Sequence, residues 1–315
     1  MSWRADQLEQ VWCDGCGGHL ASGVVTRPDG MRVVECITCG LAYLNPRPNR
    51  KYIRELYRDE YFRMTAENRI GYHNYSDDTL RPSHEAAAAN KLDITSAHAV
   101  IGGKRVLEVG CATGEFCHAL RRRGAMAVGI DLSGEVISLA KAQYSDIDFR
   151  VADMESLAAD EVFDLIFAWE VIEHVPGPRE FLQHARRHLV PGGYFILSTP
   201  NYACAKRVQP ELWAGFLHSF EHLYFFDRRS LEALAGREGF RTLISYSGGG
   251  NGLVGRPPRM RSVARYVLSK LGLLTFVRSL RASIYPRGVG YSTERQADHN
   301  LLMILQQSLD VDPRN

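Results

Sequence analysis

No stretch of this sequence approaches the ~18 consecutive apolar residues that a membrane span requires. Its opening, MSWRADQLEQVW, lacks the basic-then-apolar pattern of a secretory signal, so a cytoplasmic protein is expected. Neither sign of charge is in excess. The formal net charge of +2 neither demands nor excludes an anionic partner. Seven cysteines in a reducing compartment do not make a disulfide framework, which leaves metal binding or packing as their use. At 315 residues the chain is long for one core and short for three, so one large domain with an appendage is expected.

Another absence marks VLEVGCATGEFCHAL, residues 106–120. An apolar run stops at Gly110, a second glycine follows at Gly114, and a helical pattern begins. Phosphate-binding turns of this kind carry a Lys-Ser/Thr pair or a third glycine. Neither is present, so the ligand of the turn is something other than a nucleotide polyphosphate.

Four of the cysteines are paired. Cys13-Asp14-Gly15-Cys16 and Cys36-Ile37-Thr38-Cys39 have nineteen residues between them, the spacing of a four-cysteine structural zinc site. GVVT and MRVVECI read as short strands flanking the turn RPDG. The result is a zinc ribbon over residues 1–45, too small to hold a core without its metal. Cys111, Cys117 and Cys204 lack such partners and read as buried spectators. Residues 46–81 read as a helical connector and lid, beginning at the tyrosine-rich NPRPNRKYIRELYRDEYF.

From residue 82 to the end, strands alternate with helices. KRVLEVG, MAVGID, IDFRVAD, VFDLIFAWE and YFILSTP are strands, and the continuously apolar ones indicate a parallel sheet covered on both faces. Ligands of such sheets bind beyond the carboxyl ends of the strands. Glu108 with Gly110, Asp131, Asp153 and Glu170 fall at four successive ends. An acid about twenty residues after a glycine turn is placed to accept hydrogen bonds from ribose, and Asp131 fits.

These segments carry a resemblance. LEVGCATGEF, GIDLS, VADMESL, FDLIFAWEVIEHV and LVPGGYFILSTPN resemble, in order, the motifs of class I S-adenosylmethionine-dependent methyltransferases, over about residues 85–307. The fold implied is α/β, a Rossmann-like seven-stranded sheet, mostly parallel with the last strand antiparallel, behind a small N-terminal zinc ribbon. The resemblance implies that Gly110, Cys111 and Gly114, flanked by Glu108 and Glu170, approach the methionyl part of S-adenosylmethionine. It places Asp131 on the ribose, Leu132 against the adenine, and Asp153 with Met154 at the adenine edge. A sulfonium amino acid brings no phosphate, so the turn needs no lysine. FRTLISYSG and DHNLLMILQQ supply the sixth and seventh strands.

EVIEHV offers Glu170, Glu173 and His174 at i, i+3 and i+4, one face of a helical turn. It resembles the matching segment of ubiquinone-biosynthesis O-methyltransferases, where that face is associated with a divalent cation. The three are candidate ligands for Mg²⁺, Mn²⁺ or Zn²⁺, with a bracing role as the alternative. In zinc-ribbon methyltransferases of polysaccharide and natural-product pathways, a segment like WAGFLHSFEHLYFFDRRSLEALAGREGF closes the pocket, and His222 matches their recurrent histidine. His218 and His222, four apart, are candidates to line the acceptor site. His174 or His222, with Glu173, is the expected catalytic base.

Acids are absent between Phe240 and Ser292, where nine basic residues stand. The stretch 251–297 reads as a basic helical insertion. It is either a lid for an anionic carrier, a nucleotide diphosphate or lipid phosphate, or an ordinary solvated insert.

The expected function is methylation of a hydroxyl on a small molecule: a sugar, a nucleotide- or lipid-linked sugar, or a natural-product intermediate. The rivals are an RNA methyltransferase, a C-methyltransferase of a keto-sugar and a non-catalytic cofactor-binding module. EVIEHV in place of an Asn-Pro-Pro-Tyr type motif, and a ribbon that is not strongly basic, disfavour nucleic acid as the partner.

Overall fold

The computed structural model describes residues 3–63, 79–207, 210–248 and 300–308. The insertion expected at 251–297 and the middle of the connector, 64–78, lie outside them. Among the described residues no helix is long and apolar enough to cross a membrane.

The chain begins with β1 (Leu8–Glu9), β2 (Ala21–Thr26), β3 (Arg32–Cys36), β4 (Ala42–Leu44) and β5 (Arg47–Pro48). β2 and β3 form the hairpin read from the sequence, turning through Arg27-Pro28-Asp29-Gly30. β5 folds back antiparallel on β1. α1 (Arg50–Glu55) follows, capped by Asn49, whose Oδ1 accepts the N–H of Tyr52 at 2.9 Å. The expected tyrosine helix does not continue as α-helix. It widens into a π-turn at Leu56–Glu60 and tightens into a 3₁₀ turn at Tyr61–Arg63. Such π-turns occur often at functional sites.

The large unit starts with α2 (Arg81–Ser96). β6 (Arg105–Val109), α3 (Glu115–Arg122), β7 (Met126–Asp131), α4 (Gly134–Gln143), β8 (Asp148–Val151), β9 (Phe163–Trp169), α5 (Pro178–Arg187) and β10 (Leu189–Pro200) then alternate. β10 carries an irregularity between Leu189 and Tyr194, where Pro191, Gly192 and Gly193 fall. After the short α6 (Ala214–Leu217) come β11 (Tyr224–Phe225), α7 (Arg228–Arg237), β12 (Phe240–Gly248) and β13 (Asn300–Gln307). The seven-stranded sheet has the order β12-β13-β10-β9-β6-β7-β8. β13 runs antiparallel to both its neighbours, while β10, β9, β6, β7 and β8 pair in parallel. The fold class read from the sequence is the fold found.

One difference concerns the ribbon. Its sheet has the order β11-β4-β3-β2, so the outer strand comes from the large unit, with Tyr224 opposite Tyr43 and Phe225 opposite Ala42. A single apolar cluster runs from Val33, Tyr43 and Leu44 through Tyr224 and Phe225 to Leu182 and Phe195. The other face of the large sheet is covered by α2, α3 and α4, around Leu92, Phe116, Phe167 and Ile137.

Glycine is required where the first strand turns into α3. Gly110, Ala112 and Gly114 all have positive φ, at 72°, 45° and 87°. A Cβ on Gly114 would meet the Phe149 ring at 2.5 Å. The change Gly114→Ala therefore adds left-handed backbone strain to a ring clash, for a loss of roughly 2–4 kcal/mol. Urea denaturation of the variant against wild type measures it, and an unchanged midpoint would contradict the packing described.

Candidate active site

The carboxyl ends of β6, β7, β8 and β9 converge on one edge of the sheet, as parallel strands joined by helices require. Glu108 lies within β6 and is buried, with the Cys117 thiol donating to it at 3.0 Å. Asp131 ends β7. Its carboxylate accepts the N–H of Ala112 at 3.1 Å and of Ser133 at 3.0 Å, which ties the glycine turn to the next strand. Burial pushes Asp131 up to about 6, against the pull of those N–H donors. Cys111 is buried in the turn, and Gly110 and Cys111 both donate N–H to the Ile130 carbonyl.

Beyond β8, Asp153 caps a short turn by accepting the Ser156 N–H, and Met154 is buried beneath it. Leu132, Ala152, Asp153 and Ser156 line an open cleft of about 300 Å³. Its far wall is Arg54 and Arg58 of the connector. Arg54 spans the cleft edge, donating to Glu155 at 2.7 Å and Asp153 at 3.4 Å.

The segment after β9 differs from its sequence reading. EVIEHV is not a helical turn: Glu170 has a φ of 56°, and the His174 N–H bonds back to the Val171 carbonyl as a tight turn. Glu170 is thereby directed to the Ser198 hydroxyl, which donates to it. The potential metal ligands gathered here, among the described residues, are Glu173, His174 and His222, whose ligand atoms all lie within 4.8 Å of one another. Glu170 is not one of that group. His218 is exposed and does not stand beside His222 on a helix.

Glu173 is fully buried, and both its carboxylate oxygens lack a hydrogen-bond partner, as does Nδ1 of His222. His174 Nε2 is 3.8 Å from Glu173 Oε1, and the two imidazoles meet edge to face at 4.7 Å. On the other side of the His174 ring, Nδ1 is 2.7 Å from the hydroxyl of Tyr57, which the π-turn carries there. Burial sets the protonation of the group. It pushes Glu173 well above the usual carboxylate range, assisted by the nearby charge of Glu170. It also holds His174 down to about 4 and His222 well below its ordinary value. Both rings are neutral at pH 7, which suits a base or a metal ligand.

Three residues of this region carried no sequence signal. Tyr57 was one of several tyrosines in the connector, with nothing to single it out. Lys91 of α2 reaches over the Trp169 ring, 5.1 Å from its centroid, with Glu108 and Glu170 as its nearest opposite charges. Glu221 is the third acid, pushed up to about 7 by burial. No local pattern marks a residue whose role comes from contact with a distant segment.

At the other end of the chain, Cys13, Cys16, Cys36 and Cys39 bring their sulfurs within 4.8 Å of one another, with no disulfide. Cys13–Cys39 and Cys16–Cys36 are 3.4 and 3.5 Å apart. Tetrahedral zinc, at about 2.3 Å from each thiolate, needs separations of about 3.8 Å. The donor set and its spacing fit.

Fold and site define a class, and comparison with known proteins gives the same one. A family profile described as a methyltransferase domain matches residues 73–244, more than half of the chain, which therefore belongs to that family. It is the family of class I S-adenosylmethionine-dependent methyltransferases. Among relatives, the ubiquinone biosynthesis O-methyltransferase of Xanthomonas oryzae pv. oryzae is 36% identical over 132 residues, 40% of this chain and 55% of that protein. The enzyme of the same description from Chromobacterium violaceum is 35% identical over 131 residues, 40% of this chain and 56% of that one. The chain thus spans about half the length of the curated relatives it matches. Among solved structures, magnesium protoporphyrin IX methyltransferase from Synechocystis with bound SAH aligns with a TM-score of 0.51 at 15% identity, over 82% of this chain and 100% of that one. The complex of the Haloferax volcanii Trm112 methyltransferase activator with a methyltransferase gives 0.55 at 17% identity, over 75% and 96%. At that identity the likeness is one of fold.

The buried acids make stability depend on pH. Glu221 and Glu108, raised from an ordinary 4.5 to about 7 and about 8, keep protons in the folded state that the unfolded chain has lost. Their contribution is complete below 4.5 and is lost as pH rises through those values. The depressed pKa of His174 acts oppositely, but only between about 4 and 6.5. Ligand-free protein is therefore expected to lose on the order of 2 kcal/mol between pH 6.5 and 8. A urea midpoint that stays level or rises over that range would contradict it.

Proposed function

We propose that the protein is an S-adenosylmethionine-dependent O-methyltransferase whose acceptor is a hydroxyl of a small molecule, a sugar, a carrier-linked sugar or a natural-product intermediate. The observation that carries this reading is the buried Glu173–His174–His222 group at the strand ends, in which both Glu173 oxygens and Nδ1 of His222 lack a hydrogen-bond partner. S-adenosylmethionine supplies an electrophilic methyl on a cationic sulfur, so the protein's task is to place and deprotonate the acceptor.

The residues at hand suit that cofactor. Glu108 and Glu170 are buried acids suited to an ammonium, and Lys91, which feels the charge of both, is a cation suited to a carboxylate. Gly110, Cys111 and Gly114 form the turn that faces the methionyl end. Asp131 would accept the ribose hydroxyls, while Leu132, Met154 and Asp153 would border the adenine at the cleft that Arg54 overhangs. At the acceptor end, His174 or His222 is neutral and able to accept a hydrogen bond from the hydroxyl; burial that holds His174 down to about 4 makes it a weak base, so a bound cation would have to acidify the hydroxyl. A phenol with pKa near 10 needs about 4 kcal/mol of such help at pH 7; an aliphatic alcohol, closer to 15.7, needs a Lewis acid.

Glu173, His174 and His222 would hold a divalent cation. Both oxygens of Glu173 are unengaged, and the Tyr57 hydroxyl fixes the His174 ring from behind, as outer partners of metal-bound histidines do. Of the Mg²⁺, Mn²⁺ and Zn²⁺ considered from the sequence, two imidazoles with one carboxylate favour Zn²⁺ or Mn²⁺ over Mg²⁺. The ribbon cysteines would hold a structural zinc. In this reading residues 1–45 are the ribbon, 46–81 the connector and 82–315 the methyltransferase domain. The absence of acids between Phe240 and Ser292, against nine basic residues, supports an anionic carrier on the acceptor by charge alone.

Labelled methyl from S-adenosylmethionine, supplied with the full chain to a cell extract of the source organism, is expected in the small polar or lipid-carrier pool. Recovery in RNA would overturn the acceptor class. Metal analysis of the purified chain is expected to find zinc in the ribbon and a second equivalent that Glu173→Gln or His222→Ala each removes without touching the first. Retention of two equivalents in both variants would dismiss the second site.

A further inference from the structure

Arg27, in the turn of the ribbon hairpin, is one of the most deeply buried charges in the described protein, with its side chain and that of Asp29 at 0% and 1% exposure. Arginine has five N–H donors, and every one is used. Nε and one amino group hold the Asp29 carboxylate at 3.2 and 2.6 Å. The remaining three N–H groups leave the ribbon altogether and donate to the carbonyls of Ser219 at 3.3 Å, Phe220 at 3.0 Å and His222 at 3.1 Å. The guanidinium also lies over the Phe220 ring, 5.5 Å from its centroid.

The segment so gripped is the one that brings His222 to Glu173 and His174. The ring of His174 is fixed through its own Nδ1 by Tyr57, whereas Nδ1 of His222 has no partner. The His222 ring is therefore placed by its backbone. That backbone is anchored to the ribbon twice, by Arg27 on the Ser219–His222 carbonyls and by the Leu44 N–H on the Leu223 carbonyl at 2.9 Å. Leu223 and Tyr224 in turn donate to the carbonyl of Glu173 at 2.9 and 3.2 Å. Apolar residues of similar volume often serve stability as well as a buried ion pair does. A guanidinium fork spent on three carbonyls fixes a loop's position in a way that apolar packing does not.

We propose that Arg27 is a positioning residue for His222, so that the cysteine-bound hairpin forms part of the acceptor end of the site. This rests on the reading of Glu173, His174 and His222 given above. The expected consequence is selective: changes at Arg27 act on methyl transfer and leave the cofactor end, held by Asp131 and the glycine turn, as it was.

The test uses the zinc-loaded full chain with ¹⁵N-labelled histidine rings. Arg27→Lys keeps the charge and loses the fork. The double change Arg27→Met with Asp29→Leu removes the pair without leaving a buried charge alone, which guards against a variant that fails to fold. In both, the ring signals of His222 are expected to shift or broaden, while those of His188, held by the Glu161 carbonyl far from the turn, stay in place. Affinity for S-adenosylmethionine is expected to stay within about twofold, and methyl transfer in the extract to fall about tenfold or more, with KM for the cofactor unchanged. His222 signals that coincide with wild type in both folded variants would overturn the proposal, as would an unchanged transfer rate with a displaced ring. If the wild type labels no pool, the functional reading fails, and the ring spectra still decide the role of Arg27.

Discussion

A carboxylate taken out of water without a hydrogen bond is costly, and Glu173 is in that state on both oxygens. Much of the architecture around it serves to keep it there. The tight turn after β9 drives it inward, the positive φ of Glu170 redirects its neighbour to Ser198, and the loop carrying His222 closes the remaining side. Burial lifts its pKa and depresses those of both histidines, so the group as a whole is held close to charge neutrality in the absence of a ligand. Unpaired polar atoms of this kind persist where a ligand or reacting group completes them.

In the proposed reading, the cofactor end and the acceptor end of the site are built differently. The cofactor end is built locally, from strand termini and the turns that leave them, so each contact spans a few residues or one crossover. The acceptor end is built from far-separated pieces: the connector through Tyr57, the segment after β9, the loop before β11 and the ribbon through Arg27. An edge shared with the large unit makes the ribbon a wall of the molecule, and its apolar residues share a core with the sheet.

That division explains what could be read in advance. The strand-end acids Glu108, Asp131, Asp153 and Glu170 were legible because a parallel sheet fixes where strand ends go. The cysteine pairs were legible because metal-ligand spacing is local. The EVIEHV segment yielded two of its three candidates, but helical spacing assigned Glu170 to a face that the real turn does not have. His222 was found by resemblance. Its partnership with Glu173 was not, because nothing within reach of either residue in sequence encodes it. Tyr57 fell within the connector and Arg27 within the turn RPDG, and Lys91 drew no reading, since long-range contacts leave no periodicity.

The shared strand has a consequence for how the chain is made. The ribbon leaves the ribosome before the large unit, with its four cysteines and two hairpin strands complete, yet the open edge of β4 waits for Tyr224 and Phe225 far downstream. An unpaired strand edge invites intermolecular pairing. The nascent ribbon is thus a temporary aggregation hazard until the large unit is synthesised, and its sheet is finished by the strand that directly follows the His222 loop.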